Sequence, residues 1–223
     1  MELRTASLIV LGLTLAAIPA AAQVLYGNGP INGTTDAWLI NFSYTTSDTF
    51  SLLNNSTVRG FNFGAWETPG DELLSVDWLI TSEPIDGGTL YASGTASGSN
   101  LTDQFVSTNQ YGFDIDGITV TGLNVNLNAN TTYWLNLQNA VSKGGNPVYW
   151  DENSGAGCTG NNGMGGGCPS MAESTCFECD NIPSESFDIN GTAGTTPEPG
   201  TFVLFGSGLW GVAALRRKRW KSN

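Results

Sequence analysis

The sequence predicts an all-β fold, namely one antiparallel β-sandwich of jelly-roll-like size over residues 23–190. Three observations predict it. Apolar and polar residues alternate with a period of two along many short segments. Turn sequences rich in Gly, Pro, Asn and Asp separate these segments about every ten residues, which leaves no room for crossover helices. No window of this region repeats apolar residues with the 3.6-residue period of an amphipathic helix.

About ten strands are expected in chain order, each placed by this alternation. Six segments alternate clearly, and four shorter apolar segments complete the set. The residues after the last of them, 191–196, are Gly-rich and Thr-rich and are predicted to form a short flexible linker. The clear segments are 38–44, 61–65, 76–80, 111–115, 123–127 and 133–137, and the shorter ones are 50–53, 90–92, 148–150 and 187–189.

The first residues predict a secretory signal peptide over residues 1–22. Arg4 precedes an apolar stretch from Leu8 to Ile18, and small residues follow as far as Ala22. A basic start, a short apolar segment and a small-residue site in this order are typical of such signals. A buried core helix is the alternative, which the position at the start of the chain disfavours. Cleavage is expected between Ala22 and Gln23.

The carboxy-terminal segment predicts a membrane helix with a defined orientation. Pro197, Glu198 and Pro199 precede an apolar, Gly-rich stretch at about 201–215, and a basic cluster follows over 216–221. A helix of this apolar length rises about 23 Å. It spans a hydrocarbon core of about 30 Å only marginally. The positive-inside rule places the cluster in the cytoplasm and the domain outside. The cluster begins with Arg216, Arg217, Lys218 and Arg219.

These three parts in this order resemble a PEP-CTERM sorting signal. This bacterial motif is processed by membrane transpeptidases called exosortases, and the resemblance covers about the last 27 residues of the chain. Trp210 within the apolar stretch and the residues after Arg219 depart mildly from the pattern. The resemblance implies recognition and cleavage near Pro197-Glu198-Pro199, in Gram-negative bacteria that make exopolysaccharide. It implies where the protein is sent and implies no activity for the domain.

The charge of the region between the two signals excludes one class of partner. From Gln23 to Thr196 the bases Arg59 and Lys143 stand against eighteen Asp and Glu residues, a formal charge of −16. Nucleic acids and anionic lipids are bound through basic surfaces, which this region lacks. Such acidity serves solubility, and it also suits divalent cations.

All four cysteines lie within one Gly-rich loop, residues 155–180. An even number of cysteines in an exported loop predicts two disulfides, with three possible pairings. A four-thiolate zinc site is the alternative, but its first two ligands would be nine residues apart and zinc sites favour shorter spacings. The last two cysteines have thioredoxin-like spacing without the βαβ context of a redox site. The four are Cys158, Cys168, Cys176 and Cys179.

Histidine is absent from the chain, which excludes Ser-His-Asp and Cys-His nucleophile systems. Gly206–Gly211 fits the letters of a dinucleotide-binding motif but lacks the strand and helix around it. No catalytic or cofactor-binding residue is therefore assigned. A carboxylate pair is the catalytic arrangement that remains, since glycosidases use two carboxyl groups roughly 5–10 Å apart. Asp114 and Asp116, with Asp71-Glu72 or Asp151-Glu152 as partners, are the candidates for it.

Two further hypotheses concern ligands. Asp114 and Asp116 are two residues apart on one predicted strand face and resemble a fragment of a calcium loop, which makes them weak calcium candidates. An Asp-Gly turn that ends a strand is the competing interpretation. Trp66 and Trp150 lie near loop edges, where a sugar ring could stack on an exposed indole. Packing in the core is the alternative for both.

Together these observations predict an exported, non-enzymatic protein of the cell surface or extracellular matrix. Its partners would be the exosortase-type transpeptidase, the inner membrane through the C-terminal helix and, less directly, extracellular polysaccharide. The domain would be held outside the inner membrane first and then reach the surface or matrix. One alternative is a carbohydrate-binding or calcium-assisted adhesive module, and another is a glycan-active enzyme with paired carboxylates.

Overall fold

The computed structural model describes residues 23–152, 171–175 and 182–194. These residues form thirteen β-strands and one short 3₁₀ helix at Gly98–Asn100, and every strand pairing is antiparallel. The all-β prediction is thereby confirmed. The strands are β1 Gln23–Gly27, β2 Ala37–Leu39, β3 Thr45–Ser51, β4 Ser56–Glu67, β5 Leu73–Thr81, β6 Leu90–Ser97, β7 Leu101–Thr108, β8 Asp114–Val120, β9 Val125–Leu127, β10 Thr132–Ser142, β11 Tyr149–Asp151, β12 Ala172–Ser174 and β13 Phe187–Ala193.

Strand β4 is the centre of the larger, eight-stranded sheet. One side of β4 pairs with β13 and, near its end, with β11. The other side pairs with β9 near the start of β4 and with β8 from Phe61 to Glu67. Strands β1, β2 and β7 extend the sheet beyond β13, β11 and β8. The second sheet has five strands in the order β12-β3-β10-β5-β6.

The hydrophobic core is formed by side chains of both sheets. Phe61 and Phe63 of β4 are fully buried, and the ring centroid of Phe61 lies 6.3 Å from that of Trp78 in the second sheet. Phe50 of β3 packs on Phe187 of β13 with 6.4 Å between ring centroids. The alternation of the sequence predicts that these side chains are buried, because one face of each strand is apolar. The predicted strands at 61–65, 76–80 and 133–137 are confirmed as parts of β4, β5 and β10.

Two predicted strands are wrong in part, because turns replace their ends. Strand β2 stops at Leu39, and Phe42 and Ser43 have φ angles of 53° and 73° in a turn that Tyr44 N–H closes on the carbonyl of Asn41. Phe42 is therefore 58% exposed despite the apolar alternation. Likewise, Tyr111 lies in the turn before β8, where the side chain of Asn109 accepts hydrogen bonds from the N–H groups of Tyr111 and Phe113.

Three strands were not expected from the sequence. Strand β1 begins at Gln23, the residue at which the mature chain is expected to start. Strands β7 and β12 lie at sheet edges. Residues 191–193, predicted as linker, instead continue β13 opposite Ser56–Val58 of β4, and Gly194 N–H donates to the carbonyl of Asn55. The folded domain therefore extends to the last described residue, Gly194.

The signal peptide, the Gly-rich loop with its four cysteines, Pro197-Glu198-Pro199, the predicted helix at 201–215 and the basic cluster all lie outside the described residues. Among the described residues, no helix has both the length and the apolar character that a membrane crossing requires.

Candidate functional site: a cluster of three carboxylates

Three neighbouring strands of the larger sheet bring three carboxylates together. Glu67 ends β4, Asp116 lies near the start of β8, and Asp103 lies in β7. In the register, Ala65 and Phe105 stand on either side of Asp116, so Glu67 and Asp103 are its diagonal neighbours. Residues two apart in a strand share a face. This face is the one that carries Phe63 and Ile118 into the core.

We call Glu67, Asp103 and Asp116 the three-carboxylate cluster. One carboxylate oxygen from each lies within 4.8 Å of the others. Glu67 is 1% exposed and Asp116 is 5% exposed, whereas Asp103 is half-buried. Neither carboxylate oxygen of Glu67 has a hydrogen-bond partner among the described residues. Asp103 accepts a hydrogen bond of 2.7 Å from the backbone N–H of Leu73, at the start of β5.

The pKa values in the cluster are raised because charge is buried there without compensation. Burial, followed by repulsion from Asp103 and Asp116, raises the pKa of Glu67 to about 8. Burial, followed by repulsion from Asp103 and Asp114, raises the pKa of Asp116 to about 6. Burial also raises the pKa of Asp103, against the hydrogen bond from Leu73. A protonated Glu67 can donate to Asp103. The site therefore favours a bound proton or a bound cation.

An acidic loop between β4 and β5, which contains Asp71 and Glu72, lies beside this cluster. Asp71 accepts hydrogen bonds from Gly144 N–H at 2.6 Å and from the side chain of Asn146 at 2.9 Å. Glu72 forms an exposed ion pair of 3.1 Å with Lys143. The other base of the described residues, Arg59, donates to the side chain of Asn124. Neither base therefore neutralises the three-carboxylate cluster.

The predicted calcium candidates are both in β8, and they share a face as the sequence predicted. Only Asp116 belongs to the cluster. The carboxylate of Asp114 accepts hydrogen bonds from Gly70 N–H at 2.9 Å and from the hydroxyl of Thr108 at 3.0 Å, so it links the turn after β4 to the end of β7. Glu67 and Asp103 were not expected. The one sequence signal for Glu67 was its position in the alternating pattern. It occupies the next inward-facing position after Phe61, Phe63 and Ala65, where an apolar residue is expected.

The two predicted glycan-binding tryptophans are buried. Trp66 is 5% exposed; its indole N–H donates to Asp151 at 2.6 Å, and Tyr111 stacks on its ring at 5.7 Å. Trp150 is fully buried, donates to the carbonyl of Ser186 at 2.9 Å and packs on Phe63 and Phe187. A sugar cannot stack on a ring without an exposed face. The structure therefore corrects the stacking hypothesis for both residues.

A second buried acid, Glu185, lies away from the cluster. It is fully buried, and both its carboxylate oxygens lack a hydrogen-bond partner among the described residues. Burial, and then repulsion from Asp48, raises its pKa well above the ordinary value. The carboxylate of Asp48 itself accepts hydrogen bonds from Glu185 N–H and from the side chain of Asn28. Glu185 does not join other carboxylates in a metal-binding group among the described residues.

The comparisons with known proteins concern the end of the chain and not these sites. No curated protein matches the chain significantly. The PEP-CTERM protein-sorting motif matches residues 195–218, which begin directly after the last described residue of the domain. The motif implies an exported protein that is held at the membrane, processed by an exosortase and then displayed at the surface. The sequence-based resemblance is thereby confirmed: residues 195–218 of this chain carry a PEP-CTERM protein-sorting motif.

Proposed function

We propose that the β-sandwich is a non-enzymatic domain that an exosortase system sorts to the cell surface or the extracellular matrix. The observation that carries the proposal is the junction between domain and motif. Strand β13 ends at Ala193, and the sorting motif begins at residue 195. In the described residues, β13 pairs with both β1 and β4 as far as Gly191, and its last two residues pair with β4. The sorting motif thus follows the last strand of the domain almost directly, which supports the sandwich as the part of the protein that the motif would sort.

The experiment is intact mass and fractionation of the protein from its native host. The wild type is compared with a variant in which Pro197, Glu198 and Pro199 are all alanine. We expect the wild type to end near Pro199 and to lie outside the inner membrane. The variant should keep its tail and stay in that membrane. Ser99→Ala, an exposed change in the domain, is the control and should behave as the wild type.

Full-length, membrane-held protein in both the wild type and the motif variant would contradict the proposal. The tail would then be a plain anchor. Loss of the tail in both would equally show that Pro197-Glu198-Pro199 does not direct the processing.

The glycan-active alternative has weaker support from the site. Glycosidases place two carboxyl groups roughly 5–10 Å apart in a cleft that admits a sugar. Here the carboxylate oxygens lie within 4.8 Å of one another, and Glu67 and Asp116 are buried. The enzyme hypothesis predicts turnover of the host's exopolysaccharide that Asp116→Asn abolishes. An assay for released reducing sugar tests it, and no turnover by the wild type would remove it.

The calcium-assisted alternative has a specific observation in its favour, which is the three-carboxylate cluster. Its carboxylates converge, and it lacks a neutralising base among the described residues. An adhesive role would add a function to the sorted domain without changing its route.

A further inference from the structure

When it is ionised, the three-carboxylate cluster needs a positive partner that the described residues do not supply. Glu67 is almost completely buried, and both its oxygens lack a hydrogen-bond donor in the part of the chain that the structure describes. Asp116 is also buried, and the causes of its raised pKa are burial and repulsion, with no hydrogen bond to lower it. An ionised carboxylate without partners is strongly disfavoured in such a place. The two bases of this part of the chain are engaged elsewhere, by Glu72 and Asn124.

The geometry fits one oxygen-liganded ion. Calcium binds oxygen at about 2.3–2.6 Å, so two oxygens on one ion lie at most about 5 Å apart. One carboxylate oxygen from each of Glu67, Asp103 and Asp116 lies within 4.8 Å of the other two. Carboxylate ligands select hard cations rather than the metals that prefer thiolate or imidazole. Magnesium demands near-ideal octahedral geometry and keeps several waters, whereas calcium tolerates irregular sites.

We propose that Glu67, Asp103 and Asp116 bind one calcium ion. Half-buried Asp103 lies on the solvent side of the cluster and gives the ion its route of entry. Asp71, Glu72 and Asp114 add negative potential at this end of the sandwich. Exported modules commonly bind calcium with Kd of about 10⁻⁴–10⁻³ M. We expect an affinity in this range.

The ion would connect three strands through their side chains. Among the described residues, strand β7 pairs only with β8, so it is an edge of the larger sheet. An ion held by Asp103 ties β7 to the central strand β4, which carries Glu67. Through the hydrogen bond from Leu73 to Asp103, it also fixes the start of β5 in the second sheet. Calcium is therefore expected to stabilise this end of the sandwich.

The test is titration of the full chain, purified in mild detergent, with calcium chloride in 0.15 M salt. Calorimetry should give one saturable site. Thermal unfolding should shift upward by about 3–6 °C at ten times Kd, because the ion binds only the folded state. Glu67→Gln keeps the shape of the buried side chain without its charge, and it should weaken binding at least tenfold. Glu83→Gln, an exposed change between β5 and β6, is the matched control and should bind as the wild type.

Asp103→Asn is the second variant, since Asp103 is less buried and its substitution is less able to disturb folding. It too should weaken binding at least tenfold. The absence of saturable binding in the wild type, or binding that survives in both cluster variants, would overturn the proposal. An equal effect of Glu83→Gln would show unspecific attraction to an acidic surface, and equal affinity for magnesium chloride would overturn the choice of calcium. Fractionation of the host cells, which tests sorting, is independent of all these results.

Discussion

Asp151 shows how much one side chain stabilises in this protein. Its carboxylate accepts hydrogen bonds from the backbone N–H groups of Asn32 and Gly33, both at 2.9 Å. It also accepts from the indole of Trp66 at 2.6 Å and from the hydroxyl of Ser186 at 3.1 Å. Burial raises the pKa of Asp151 against these four donors. One carboxylate thus joins a loop, the central strand β4 and the segment before β13.

Substitution of Asp151 by Asn is expected to destabilise the fold. Each carboxylate oxygen of Asp151 accepts from two donors. Asparagine replaces one of these oxygens by an NH₂ group, so in either orientation of its amide an NH₂ group faces two donors. Buried donors left unpaired lower the free energy of unfolding by roughly 2–4 kcal/mol in total. Urea unfolding at pH 7 measures the change. Asp36→Asn, an exposed control, should stay within about 0.5 kcal/mol of the wild type, and equal stability of both variants would contradict this account.

At the scale of residues, the sequence predicted one of the three carboxylates of the cluster, Asp116. Asp114 and Asp116 were placed on one strand face because alternation along a strand is local. Glu67 and Asp103 were missed because only the register of β4, β8 and β7 brings them to Asp116, and register depends on distant residues. The burial of Trp66 was missed for the same reason, since Tyr111 covers it from another segment.

At the scale of elements, the prediction succeeded where strands are buried on one face. Strands β4, β5 and β10 carry strong alternation because they lie inside their sheets. The edge strand β7 lacked this signal, since Phe105 and Val106 are neighbours in sequence and both are more than half exposed. The prediction of a strand over residues 40–44 was wrong because the side chain of Asn41 is hydrogen-bonded to the backbone of Asn146 and Val148. These contacts are distant in sequence and leave no local signal.

Strand β13 offers a test of close packing next to the sorting motif. A Cβ added to Gly191 would lie 2.2 Å from the backbone carbonyl oxygen of Thr57 in β4. Backbone in the centre of a sheet cannot move away cheaply, so Gly191→Ala should reduce the free energy of unfolding by about 1–3 kcal/mol. Gly117→Ala in β8 is the matched control, because its Cβ would meet neighbours at an ordinary 3.6 Å or more.

The control change should be neutral or slightly stabilising, since alanine restricts the unfolded chain more than glycine does. Denaturant midpoints of both variants measure the difference. Similar midpoints for Gly191→Ala and Gly117→Ala would show that β13 is not held as tightly as its register implies.

At the scale of the whole molecule, the sequence revealed the sorting motif but not the chemistry of the domain. The sorting motif is contiguous, so its three parts can be recognised without a fold. The net negative charge could also be counted from the sequence, but the positions of the acidic residues in the fold could not. Folding places several carboxylates inside the sandwich, including Glu67, Glu152 and Glu185. These buried acids determine how the stability of the protein depends on pH.

Stability is expected to fall as the pH rises from 5 to 8 in the absence of calcium. Burial raises the pKa of Glu185 well above 4.5, followed by repulsion from Asp48, Glu152, Asp151 and Asp36. Burial also raises the pKa of Glu67 to about 8, of Glu152 to about 7 and of Asp116 to about 6. The folded state therefore keeps protons that the unfolded state releases. Stability from these groups is complete below their unfolded pKa and is lost as the pH rises through the folded values.

Glu185→Gln isolates the contribution of one group, because a neutral amide replaces the acid that the fold keeps protonated. Each proton retained only by the folded state contributes a slope of about 1.4 kcal/mol per pH unit. We expect urea unfolding in a calcium chelator to show a shallower decline for Glu185→Gln between pH 5 and 8, with higher stability than the wild type at pH 8. Glu83→Gln should leave the wild-type slope unchanged. If all three proteins lost stability in parallel, Glu185 would have to be ionised in the fold, and a positive partner for it would then have to be sought.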